Sequence, residues 1–152
     1  MKPAYSYRQD PAVPAFPDDR PILIYDGVCA MCSAGVQFML RHDKRGRFRF
    51  IAAQSALGCA LYLHYGMDPE HYESNVVLEH GIAWFKSESS IRMMTGLGFP
   101  WTLVGALRVF PLSWRNRFYD YVAANRFRWF GRREVCMLAD PGHAERFLSE
   151  AP

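Results

Sequence analysis

The apolar run Pro21-Ile22-Leu23-Ile24-Tyr25 stops abruptly at Asp26-Gly27, and within a few residues the apolar spacing becomes helical. A short uninterrupted run closed by a turn dipeptide is the pattern of a buried strand. From about Ala30 to His42, Cys32, Val36, Met39 and Leu40 stand at i, i+4, i+7 and i+8, the stripe of an amphipathic helix, which Asp43-Lys44-Arg45-Gly46 closes. Two cysteines, Cys29 and Cys32, fall at this strand-to-helix junction.

The rest of the chain fits that beginning. Arg47-Phe48-Arg49-Phe50-Ile51-Ala52 alternates charge and bulk as a second strand, with Phe48 and Phe50 on one side. A helix is expected from about Ser55 to Tyr65, its core stripe Ala56, Cys59, Ala60 and Leu63. Asn75 to Glu79 and Ile82 to Phe85 flank His80-Gly81, a hairpin signal, and Ser87 to Gly96 reads as a third helix. With a right-handed crossover between the first two strands, this order is that of an α/β thioredoxin-like fold, a mixed four-stranded sheet flanked by helices. Extra C-terminal helices are expected near Trp101 to Val109 and Leu112 to Phe130, broken at Pro111. Residues 1–20, interrupted by Pro3, Pro11, Pro14 and Pro17, read as a flexible arm preceding a domain over 21–148.

A Cys-x-x-Cys spacing alone also describes half of many zinc sites, so its position carries the argument. Cys29 sits at or just before the first helical residue, where unpaired N–H groups and the helix dipole favour a negative sulfur. A thiolate is the reactive species in disulfide exchange, so Cys29 is expected to be the exposed nucleophile. Cys32 shares the inward stripe and is expected to be the shielded thiol that resolves the mixed disulfide. Asp26 is a candidate proton acceptor for Cys32, set against its plain use as a turn former before glycine.

Composition excludes several other classes. The 152 residues, half of them hydrophobic, are enough for one core. Four cysteines are too few for a disulfide scaffold, and neither a secretory signal nor a run of eighteen uncharged apolar residues is present, so a cytoplasmic protein without a transmembrane segment is expected. Gly96, Gly98 and Gly105 form no phosphate-cradling loop, no Ser/His/Asp order is persuasive, and no cofactor is implied. Zinc would need ligands beyond the pair from Cys59, Cys136 or the scattered His42, His64, His71, His80 and His143, and there is no second Cys-x-x-Cys. Cys59 is expected in the core; Cys136 is read as structural, with a third redox thiol as the alternative.

Asp26-Gly27-Val28-Cys29-Ala30-Met31-Cys32, Arg47-Phe48-Arg49-Phe50 leading to Gln54-Ser55, and Ala124 to Gly131 followed by Cys136 resemble the three sequence blocks of the DCC-type thiol-disulfide oxidoreductases. The similarity spans about Ile22 to Cys136 and departs at Ser89, where alanine is usual. It implies a thioredoxin-like fold and disulfide exchange, with Cys29 and Cys32 as the redox pair and Asp26 as the accompanying acid. The implied partners are a disulfide-containing protein or small thiol substrate and an electron donor that the sequence does not specify. No proline immediately precedes the strand at Asn75, a departure from thioredoxin itself.

The net charge of +3 is mild, but Arg115, Arg117, Arg126, Arg128, Arg132 and Arg133 interleave with aromatic residues. Trp114, Phe118, Tyr121 and Val122 follow helical spacing and are expected to pack on the sheet, leaving the arginines in solvent and no nucleic-acid function. The alternative to an enzyme is a non-catalytic interaction domain that uses this basic aromatic face.

Overall fold

A computed structural model describes residues 3–27, 29–43, 46–68, 75–131 and 147–148. Four strands, β1 (Ile22–Tyr25), β2 (Arg49–Ala52), β3 (Val76–Glu79) and β4 (Ile82–Phe85), form one sheet in the order β2-β1-β3-β4. β1 pairs parallel with β2, while β3 runs antiparallel to both β1 and β4. Helices α1 (Ala30–His42), α2 (Ala56–His64), α3 (Lys86–Thr95) and α4 (Leu112–Phe130) flank it, with a 3-10 segment at Trp101–Val109. The fold is the expected thioredoxin-like α/β arrangement.

The two faces of the sheet bury separate cores. Ile22 and Ile24 point into one with Ile51, Leu57, Leu61 and Tyr62 of β2 and α2. Leu23 and Tyr25 point into the other with Val36, Met39, Phe48 and Phe50 of α1 and the β2 region. β1 is central and covered on both faces, which is why its sequence is uniformly apolar. The hairpin turn holds His80 at φ 52° and Gly81 at φ 76°, the left-handed pair that a two-residue turn requires.

Three expectations need correction. The α2 stripe is rotated: Leu57, Gly58, Leu61 and Tyr62 are buried, Leu63 is exposed and Cys59 only half-buried. Ser55 caps the helix by accepting from Gly58 N at 3.0 Å, and Gly58 lies so close to β2 that a Cβ there would collide with the Ala52 carbonyl oxygen. That backbone approach, rather than the spacing of large residues, sets the rotation.

The described part of the proline-rich arm is packed. Tyr7, in a 3-10 turn over Ser6–Gln9, is 2 % exposed within the first core and donates its hydroxyl to Asp18. Tyr5 N donates to Gly81 O, and Ser6 Oγ and Asp10 Oδ2 each lie 2.8 Å from a ring nitrogen of His64. Prolines break regular structure here without preventing its tyrosines from filling a core.

The α4 stripe is also turned. Trp114, Phe118 and Tyr121 are 60 % exposed or more, whereas Asn116, Tyr119 and Arg126 face inward. The inner face of α4 carries polar groups because the helix docks through specific hydrogen bonds and through ion pairs, Arg126 with Asp26, Arg115 with Glu88 and Asp120 with Lys86. Arg117 and Arg128 remain in solvent as expected, but Arg126 and Arg115 do not.

Candidate active site at the N-terminus of α1

Cys29 is the residue that caps α1, with extended φ −80° and ψ 120°, and Cys32 lies in the first turn. The turn is built from its own backbone: Cys29 N donates to Asp26 O at 3.4 Å, Ser33 N to Cys29 O at 3.0 Å, and Ser33 Oγ to Gly27 O at 3.3 Å. Both cysteines are free thiols and approach to 3.3 Å.

Burial changes the expected division of labour. Cys29 is 0 % exposed and Cys32 6 %, so Cys29 is not the exposed sulfur. The chain passes from fully buried β1 straight into α1, and α4 lies against α1, so the helix end is covered. Cys32, on the inward stripe as expected, lines a cavity of about 720 Å³ between α1, α3, α4 and the 3-10 segment. Its thiol is pushed well above the ordinary cysteine range, first by its hydrogen bond with Cys29, then by burial and the Cys29 charge. Arg126 opposes this shift and Asp26 adds to it.

Asp26 is 1 % exposed and carries an ion pair with Arg126 at 3.2 Å through Oδ2. Its Oδ1 accepts from Gln54 Nε2 at 2.6 Å, while Gln54 Oε1 accepts from Gly27 N at 2.9 Å, so one amide holds both residues of the Asp-Gly turn. The guanidinium also sits over the Phe127 ring at 4.8 Å. Tyr62 lies close enough to feel the charges of Tyr119, Asp26, Cys32 and Arg126; burial, its largest influence, raises its pKa far above normal.

The structure thus brings Asp26, Cys29 and Cys32 together and adds Gln54 and Arg126, neither of which the residue-level reading singled out. Both lay within the blocks that carried the resemblance, and Arg126 follows Tyr119 by two helical turns. Among the described residues no three His, Cys, Asp or Glu side chains converge as a metal-binding group, and no helix is long and apolar enough to cross a membrane. Cys136, His71 and His143 lie outside the described residues.

A thioredoxin-like sheet with a Cys-x-x-Cys pair at the first helix N-terminus defines a class of thiol-disulfide domains. The family model of the DCC1-like thiol-disulfide oxidoreductases matches residues 23–132, and the chain belongs to that family. It is 35 % identical over 127 residues to the uncharacterized protein YuxK of Bacillus subtilis, covering 84 % of this chain and 93 % of that one. It is 38 % identical over 122 residues to a chloroplastic DCC family protein of Arabidopsis thaliana, covering 80 % and 71 % respectively. No solved structure matches.

Proposed function

We propose that the protein catalyses thiol-disulfide exchange, with Cys29 and Cys32 cycling between dithiol and disulfide. The observation that carries this reading is two free sulfurs in contact at a helix N-terminus beside a buried ion pair. In the reducing direction the two thiols and a substrate disulfide give the Cys29–Cys32 disulfide and two substrate thiols, and an external dithiol restores the pair. Asp26, whose charge already acts on Cys32, receives the Cys32 proton as that sulfur is consumed. Free thiols suit a reducing compartment, and we assign the activity to the cytoplasm.

Dithiothreitol-driven turnover of bis(2-hydroxyethyl) disulfide, a small uncharged substrate, is expected to fall to background in Cys29→Ser and Cys32→Ser. Equal rates in wild type and both variants would sink the reading and leave the alternative, an interaction domain displaying the exposed Trp114, Phe118, Trp129 and Phe130. Asp26→Asn is expected to slow exchange at neutral pH by about 10²-fold, and an unchanged rate would remove its proton-transfer role.

A further inference from the structure

We propose that the cavity beside α1 is the substrate site, that it takes low-molecular-weight disulfides with uncharged, apolar substituents, and that such a substrate meets Cys32 first. This rests on the exchange function above and specifies its substrate and order.

Three observations lead there. The cavity, about 720 Å³, has the volume of a small-molecule site. Its walls are apolar, formed by side chains such as Leu23, Ile91, Met94, Val104, Leu107 and Val122, with Cys32 among them. At its mouth Phe110, Trp114 and Phe118 are 48 %, 63 % and 71 % exposed, an apolar rim on which such a molecule can first settle.

The polar groups of the lining are already engaged within the protein. Arg115 donates to Glu88 and to the Phe110 carbonyl, and the Ser87 hydroxyl donates to Asn116. A charged substrate would lose its hydration without gaining a counter-ion. A peptide fares no better. Most of the wall is helical, with its backbone groups bonded internally, and Asn75 N, next to the head of β3, donates to the Tyr119 hydroxyl at 2.9 Å. Among the described residues of the lining no strand edge is offered for backbone pairing.

The chemistry balances with the residues present. Cys32 gives its proton to Asp26 and its thiolate attacks the substrate disulfide, forming a Cys32 mixed disulfide and releasing one substrate thiolate, which takes the proton back. Cys29, enclosed beneath as the thiolate whose charge acts on Cys32, attacks the Cys32 sulfur; the Cys29–Cys32 bond forms, the mixed disulfide breaks, and the second substrate sulfur leaves as a thiolate. A dithiol reductant closes the cycle.

The test compares neutral 2,2′-dipyridyl disulfide with dianionic 5,5′-dithiobis(2-nitrobenzoate), each rate divided by that of the urea-unfolded protein. The folded wild type is expected to favour the neutral probe at least 10-fold, and Leu107→Glu, a change at a half-exposed position, to erase that preference while its urea midpoint stays close to that of wild type. Cys29→Ser is expected to retain a mixed disulfide on Cys32, and Cys32→Ser to label at least 10-fold more slowly. No preference for the neutral probe, or a preference that Leu107→Glu leaves intact, would overturn the apolar site. Faster labelling of Cys32→Ser than of Cys29→Ser would overturn the order. Failure of wild type to form the internal disulfide with either probe would overturn the exchange function itself.

Discussion

Cys29 and Cys32 differ less in exposure than in what each sulfur is bonded to. The hydrogen bond with Cys29 is the largest influence holding the proton on Cys32, so removing it has a definite sign. In Cys29→Ala the Cys32 thiol is expected to ionise at lower pH, and its alkylation by iodoacetamide, followed by mass spectrometry against pH, to reach half-maximal rate at lower pH than for Cys32 in the wild type. Arg126 is the second residue whose surroundings decide its part. Replacing it with alanine leaves the Asp26 carboxylate buried without its cation, at an expected cost of about 3–5 kcal/mol in urea unfolding. Asp26→Asn in the same chain is expected to recover part of that loss, because the two residues share one interaction. Legibility at this scale was uneven. The cysteines and Asp26 announce themselves by chemistry and spacing, whereas Arg126 sits in a run of arginines and looks like any solvated charge. Its partner is far away in sequence, and no local pattern encodes that.

Among the elements, strand and helix positions were legible because apolar periodicity reports them directly, but helix rotation was not. α2 turns on the close approach of Gly58 to β2, and a missing side chain leaves no mark in a hydrophobic stripe. α4 turns on Asn116, Tyr119 and Arg126, polar residues that a search for apolar faces assigns to solvent. What holds α4 and the 3-10 segment to α3 is Glu88, which takes Arg92 in its own helix, Arg108 in the 3-10 segment and Arg115 in α4. Burial alone would raise the Glu88 carboxyl, but the hydrogen bond and charge of Arg108, followed by Arg115 and Arg92, outweigh it and hold the group below its usual value. A carboxyl lowered in the folded state stabilises above its unfolded pKa, near 4.5, and loses that contribution as pH falls through the folded value. Glu88→Gln is therefore expected to be less stable by about 1 kcal/mol at pH 7. Urea titrations at descending pH are expected to show the gap closing in the acid range, and a gap that persists there would mean that the carboxylate is not what joins the three elements.

For the molecule as a whole, described residues from both the N-terminal and the C-terminal parts of the chain belong to the folded body. Phe147 forms a parallel bridge with Phe50 at the β2 edge, and Leu148 N donates to Phe50 O at 2.8 Å, so the outer edge of the sheet is partly covered. At the other end Tyr7 fills the core under the hairpin side of the sheet. A chain that starts at Asp19 is expected to lose at least about 3 kcal/mol, the cost of emptying an aromatic-sized space, read from the urea midpoint. Proline content marks that segment as irregular, and irregular is not the same as unpacked. The Asp26–Arg126 pair has a consequence for biosynthesis. A ribosome makes β1 and both cysteines early, but the arginine that covers the turn belongs to the last described helix. Throughout the interval in which the intervening strands and helices emerge, the thiol pair stands without its cation and without the wall that α4 supplies. During that time a reducing environment, rather than the fold, must keep the two sulfurs from premature oxidation.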